Sequence, residues 1–254
     1  MLRKRIIAVV TVKQGWVVQS FSYDQYLPVG KVEHIVENLD RWGVDEICIQ
    51  VIDRSINQLG PDFDLLEKIA CLGLGTPITY GGGIQSVEHA IDVIRKGADR
   101  ICIDALIQET PEIINEISFK LGAQAIIINL PIKLVDHELK HYDYRSAQSS
   151  PLSGEILSLL NNGAVSEVLL TDTEHEGSLA GFNQTILDAS EHISIPIIAF
   201  GGATDINVIK SLLLKENVSA VALGNALNYS EHAVQKIKDQ LVETPVRPSN
   251  YRTY

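Results

Sequence analysis

Positive charge is scarce in this chain: 21 lysines and arginines stand against 32 aspartates and glutamates, for a formal net charge of −11. A surface of that sign repels phosphate backbones and anionic lipid, which argues against nucleic acid or membrane as the main partner. Any phosphate group must therefore be held locally, by backbone N–H groups. Aromatic residues make up only 6% of the sequence, against 45% hydrophobic residues overall. The apolar content is carried by Ile, Val and Leu, as suits parallel strands buried on both faces. Cysteine is nearly absent. Cys48, Cys71 and Cys102 are odd in number and lack metal-ligand spacing, so they read as reduced core thiols. No apolar run approaches the length of a membrane span, and the first one turns polar by Thr11, too early for a signal peptide. A cytoplasmic location is expected.

What is present is a short apolar run ending in three glycines, Pro77-Ile-Thr-Tyr-Gly-Gly-Gly-Ile84, just before a helix-like segment. Bare N–H groups at a strand end beside a helix start form a phosphate cradle. The stretch has an echo in Pro196-Ile-Ile-Ala-Phe-Gly-Gly-Ala203, and Gly81 and Gly201 are 120 positions apart. Eight short β-branched runs begin at Arg5, Glu46, Pro77, Arg100, Ala125, Glu167, Pro196 and Ser219, alternating with amphipathic stretches. Asp45-Glu-Ile-Cys-Ile-Gln aligns with Ser166-Glu-Val-Leu-Leu-Thr, and Gly97-Ala-Asp-Arg-Ile-Cys-Ile-Asp-Ala with Asn217-Val-Ser-Ala-Val-Ala-Leu-Gly-Asn, again about 120 positions apart. The pattern predicts an α/β protein: a single (β/α)8 TIM barrel over residues 1–243 built from two half-barrels, with an extended tail over 244–254. A Rossmann fold is excluded, because Gln14-Gly15 after the first run does not supply G-x-G-x-x-G. The polar segment from Asp136 to Ser153 reads as a lid or a small hairpin.

Lys4-Arg-Ile-Ile, Val12-Lys13, Gly81-Gly-Gly-Ile, Gly97-Ala-Asp, Leu169-Leu-Thr, Glu176-Gly-Ser-Leu-Ala-Gly-Phe and Gly201-Gly-Ala together cover nearly the whole chain. On these residues the chain resembles the HisF family, the cyclase subunit of imidazole glycerol phosphate synthase in histidine biosynthesis. The resemblance implies two phosphate sites. The first matches Gly83, Asp104 and Ala105, and the second Gly177, Gly202, Gly224 and Asn225. Asp104 stands where the family has a neutral amide, and a carboxylate beside a phosphate is repulsive, so the second cradle is the expected serviceable one. The family's catalytic aspartates after strands one and five are matched by Thr11 and Pro131, a further carboxylate by Val51, and a lysine by Gln19. Neither threonine nor proline serves as a general base near neutral pH. Glu174, His175 and Glu176 are the candidate substitutes, His175 for its titration range. Phe200 replaces a small family residue, and with Trp16 it is expected to face the active end.

At the other end of the barrel, the family admits ammonia from a HisH-like glutaminase through a ring of four charges. These match Arg5, Glu46, Arg100 and Glu167, with the signs intact, and Asp99 matches a partner contact. One such residue reads as a cap on the barrel floor; four together read as a gate. His137 and His141 have a helical i, i+4 spacing but no third ligand, so no metal is expected, nor any cofactor. The leading expectation is a HisF-like subunit conducting ammonia, with lost acids pointing to an end use other than histidine. Relatives of that kind pass ammonia to a sugar amidotransferase in surface-polysaccharide (lipopolysaccharide) biosynthesis. The alternatives are an active cyclase making a phosphorylated imidazole, and a catalytically silent phosphate-binding scaffold.

Overall fold

A computed structural model of the chain describes residues 3–249. The strands are β1 Arg5–Lys13, β2 Trp16–Phe21, β3 Gln25–Lys31, β4 Glu46–Val51, β5 Ile78–Gly81, β6 Arg100–Ile103, β7 Ile126–Val135, β8 Glu138–Asp143, β9 Gln148–Pro151, β10 Glu167–Asp172, β11 Ile197–Phe200 and β12 Val218–Leu223. Eight of them run parallel in the order β10-β11-β12-β1-β4-β5-β6-β7, and a β10–β7 pairing closes the ring. The chain is thus a single (β/α)8 barrel. The eight apolar runs of the sequence each fall on one of its strands, because a strand buried on both faces leaves an unbroken apolar run.

Alternation along each strand divides the core in two. On β1, Ile6, Ala8 and Val10 point out to the helices, while Ile7 and Val9 point into the barrel, where they meet Cys48, Cys102, Ile127, Leu169, Ile198 and Phe200. The helices are started by side-chain caps: Asp62, Ser86, Ser153 and Asp205 accept hydrogen bonds from N–H groups in the first turns of 63–70, 87–95, 154–161 and 206–214. Cys48 and Cys102 lie in the barrel interior. Cys71 is exposed at the end of a helix, so the expectation of a core thiol fails there.

Four strands lie outside the barrel, in two hairpins, of which the sequence pattern suggested only the second. Gln14 and Gly15 both have positive φ, 51° and 77°, as a two-residue hairpin turn of the primed kind requires, and this turn joins β1 to β2. Asp136 and His137, at 52° and 64°, make the same kind of turn between β7 and β8. The segment 136–153 is therefore a hairpin extended by β9, and His137 and His141 sit on it instead of on a helix face. Each half-barrel thus begins with a strand that overruns the barrel and folds back across its mouth. The pairing is repeated in detail: Lys13 Nζ lies 3.6 Å above the Tyr26 ring, and Lys133 Nζ lies 4.3 Å above the Tyr142 ring. Part of the expected tail is paired rather than free: Lys4 N–H donates to Pro245 O, Arg247 N–H donates to Lys4 O, and Val246 forms a bridge to Lys4. Residues 250–254 lie outside the described residues.

Candidate functional site at the barrel mouth and floor

The first glycine cradle opens on a cavity of about 110 Å³ at the C-terminal ends of β4, β5, β6 and β7. Gly81, Gly82 and Gly83 form one wall, and Gly83 (φ 69°) leaves no room for a Cβ beside the Leu59 and Gly60 backbone. Its N–H donates to Ser55 Oγ at 3.2 Å, so this amide is already engaged. Asp104 and Ala105 line the same cavity, as do Pro131 and Thr173. Burial pushes the Asp104 carboxyl up to about 7, although the hydrogen bond from Asn129 Nδ2 at 2.9 Å and the nearby Arg145 pull the other way. Asn129 is fixed in turn by Thr171 Oγ1, which donates to its Oδ1 at 2.8 Å. Tyr23 and Tyr26 from the first hairpin and Tyr142 and Tyr144 from the second enclose the cavity from above.

The second cradle is arranged differently. Asn225 bonds the Ser20 backbone in both directions, at 3.2 and 2.6 Å. A Cβ on Gly177 (φ 73°) would overlap the Ser20 carbonyl oxygen. Glu176 Oε2 accepts from Ser20 Oγ at 3.0 Å and from Tyr23 N–H at 3.2 Å, and Ser22 N–H donates to the Glu176 carbonyl. Gly177, Gly202, Gly224 and Asn225 together border a smaller cavity of about 20 Å³, which Phe200 also lines. Both cradles thus border cavities, the first of about 110 Å³ and the second of about 20 Å³, and the β2–β3 hairpin is clasped beside the second. Phe200 is inward-facing and buried as expected. Trp16 is half exposed at the start of β2, paired with Lys13 at the C-terminal end of β1, and is not among the residues lining the open cavity.

The substitute acids do not reach the open cavity. Asp172 is buried and accepts from the N–H groups of Glu174, His175 and Asn183, and from His175 Nδ1 at 2.7 Å, which ties the loop down. Glu174 is exposed, Glu176 clasps the hairpin, and of this loop only Thr173 lines the cavity. Burial raises the Glu176 carboxyl, against the bonds from Ser20, Tyr23 and Ser22. Thr11 faces a separate small cavity beside Gly224 and Asn225. The cavity's most telling polar groups, Gln50, Tyr23 and Asn129, were missed. Gln50 ends an apolar run and Tyr23 sits in a turn, so only the hairpin signature at Gln14-Gly15 hinted at either.

At the floor, each arginine touches each glutamate. Arg5 Nη1 lies 3.0 Å from Glu46 Oε2 and its other nitrogen bonds Glu167, while Arg100 Nη1 lies 3.5 Å from Glu46 and 2.8 Å from Glu167. Thr79 Oγ1 donates to Glu46 and Ser219 Oγ to Glu167, each at 2.5 Å. Burial works against the Glu167 charge, but Arg5, Arg100 and Ser219 together hold its carboxyl below the usual range. The four charges form a closed, neutral cycle across the barrel. Asp99 is exposed on the rim, with one carboxylate oxygen accepting from Ile78 N–H at 2.8 Å.

Fold and site together define a (β/α)8-barrel protein with its cavity at the C-terminal mouth and an ionic seal at the N-terminal floor. The sequence profile described as "Histidine biosynthesis protein" matches residues 5–233. The chain belongs to that family, and within it to the HisF branch. It is 30% identical to imidazole glycerol phosphate synthase subunit HisF of Thermococcus gammatolerans, over 97% of this chain and 99% of the relative. The HisF subunit of an Exiguobacterium species is also 30% identical, over 94% and 93%, and that of Natranaerobius thermophilus is 29% identical, over 97% and 98%. No helix among the described residues is long and apolar enough to cross a membrane.

Proposed function

We propose that this chain is the acceptor-side subunit of a glutamine amidotransferase pair. It receives ammonia from a HisH-like glutaminase docked on the N-terminal face around Asp99, and passes it through the ring of Arg5, Glu46, Arg100 and Glu167 into the barrel. Thr11 and Pro131 supply no proton for the imidazole-forming cyclisation, so the ammonia serves another acceptor, a surface-polysaccharide sugar taken up by a sugar amidotransferase. The carrying observation is that the floor keeps all four charges in mutual contact while the mouth lacks both acids. Co-purification with the glutaminase of the same genome tests the reading. A stoichiometric complex with stimulated glutaminase turnover is expected, weakened by Asp99→Ala. Absence of both complex and stimulation removes this proposal.

A second reading, an active cyclase in histidine biosynthesis, is favoured by one observation: Asp104 is a carboxyl in the open cavity that titrates at about 7, where a general acid–base is most effective. Growth of a histidine auxotroph on this chain, lost with Asp104→Asn, is its expected signature. Growth that survives the substitution removes Asp104 from the acid–base role, and no growth at all rejects the reading.

A further inference from the structure

Among the described residues three buried side-chain polar atoms have no hydrogen-bond partner, Asp53 Oδ1 and two at the open cavity: the Tyr23 hydroxyl and the Gln50 side-chain nitrogen. An unpaired buried polar group is destabilising, and folded proteins keep few of them. Both residues line the same cavity, and Gln50 is only 6% exposed. The third polar wall is Asp104, held in place by Asn129. None of the described residues lining the cavity is a lysine or an arginine. The Gly83 N–H, which a phosphate cradle would present, is taken by Ser55. The helix after Ala105 spans only Leu106–Glu109, too short to add a useful dipole. A phosphate entering here would meet the Asp104 carboxyl, while the nearby Arg145 stands outside the cavity wall and is paired with Asp143 and Glu109.

We infer that the open cavity binds an uncharged amide-type group. The ligand's carbonyl oxygen accepts from Gln50 Nε2 and the Tyr23 hydroxyl, and its N–H donates to the Asp104 carboxyl. The alternatives fail on hydrogen-bond sense. An amidinium offers no acceptor to Gln50, and a carboxylate offers no donor to Asp104 and repeats its charge. Tyr26, Tyr142 and Tyr144 close over the remainder of the ligand with flat, half-polar rings, which suits a small ring-bearing molecule. The inference concerns only what the mouth recognises and stands apart from the source or use of ammonia.

The test uses the full chain and four probes: acetamide, acetamidinium and acetate, which share one size and shape, and inorganic phosphate. At about pH 8, where Asp104 is ionised, acetamide is expected to shift the Gln50 side-chain amide signals in the NMR spectrum saturably. Its affinity should exceed that of acetamidinium or acetate by about fivefold or more, with no competition from phosphate. Tyr23→Phe removes one unpaired hydroxyl, so its melting temperature stays level or rises while acetamide affinity drops about fivefold. Gln50→Leu gives the same loss by a separate route. Acetate or phosphate binding as tightly as acetamide overturns the inference, as does unchanged affinity in Tyr23→Phe. So does the absence of a saturable acetamide shift up to about 0.2 M, which leaves water as the occupant.

Discussion

Ser20 and Asn225 exchange two hydrogen bonds: the Ser20 N–H donates to Asn225 Oδ1 at 3.2 Å, and Asn225 Nδ2 donates to the Ser20 carbonyl at 2.6 Å. One side-chain amide does for β2 what the peptide of a neighbouring strand would do. The clasp holds the first hairpin across the mouth, beside the smaller of the two glycine-lined cavities.

Asn225→Ala removes both bonds. It is expected to lower stability by about 1–2 kcal/mol and to speed amide hydrogen exchange across β2 and β3 without changing exchange in the barrel strands. Asn225→Asp keeps the acceptor, loses the donor and brings a charge towards Glu176, so it falls at least as far as the alanine variant. Unchanged exchange in the hairpin of Asn225→Ala contradicts the clasp.

The floor ring responds to charge removal more strongly than a surface pair would. Arg5→Ala leaves Glu46 and Glu167 sharing one guanidinium at sites where they are mostly buried, an imbalance worth about 3 kcal/mol. The Glu167 carboxyl is held below its unfolded value of 4.5. Its stabilisation is therefore complete above that pH and is lost as pH falls through the lower, folded value. Denaturant titrations should show the wild type losing its advantage over Glu167→Gln in that acid range, and a constant gap would contradict the pairing.

Asp104 carries the opposite sign. Its carboxyl is raised from 3.8 to about 7, chiefly by burial. Between those values the folded state holds a proton that the unfolded state has released, so stability declines as pH rises through this window and levels off above it. Asp104→Asn should flatten that part of the stability curve and raise the denaturation midpoint at about pH 8, by about 1–2 kcal/mol after allowing for solvent in the cavity. A variant less stable than wild type at that pH would show that the carboxylate is compensated by partners inside the cavity.

Much of this protein was legible one segment at a time. The runs at Glu46–Val51 and Arg100–Ile103 coincide with β4 and β6 to the residue, since burial on both faces leaves an apolar run with clear ends. Gln14-Gly15 is visible as a dipeptide that lacks a nucleotide-binding motif, but its value as a hairpin turn lies in the positive φ of both residues, which only the folded backbone displays. The loop 172–176 was legible as a cluster of ionisable groups. That Asp172 turns inward and consumes the N–H groups of its own loop is a matter of backbone geometry that composition does not express.

Strand order, the half-barrel repeat and the alternating signs of Arg5, Glu46, Arg100 and Glu167 were determined by the sequence alone, because periodicity and residue identity at strand starts are local properties. How the first hairpin is held across the mouth was decided only in three dimensions. The bonds that hold it join Ser20 to Glu176 and Asn225, 156 and 205 residues away. A contact of that span depends on how the hairpin leans across the finished barrel, and the barrel exists only once all eight strands have closed.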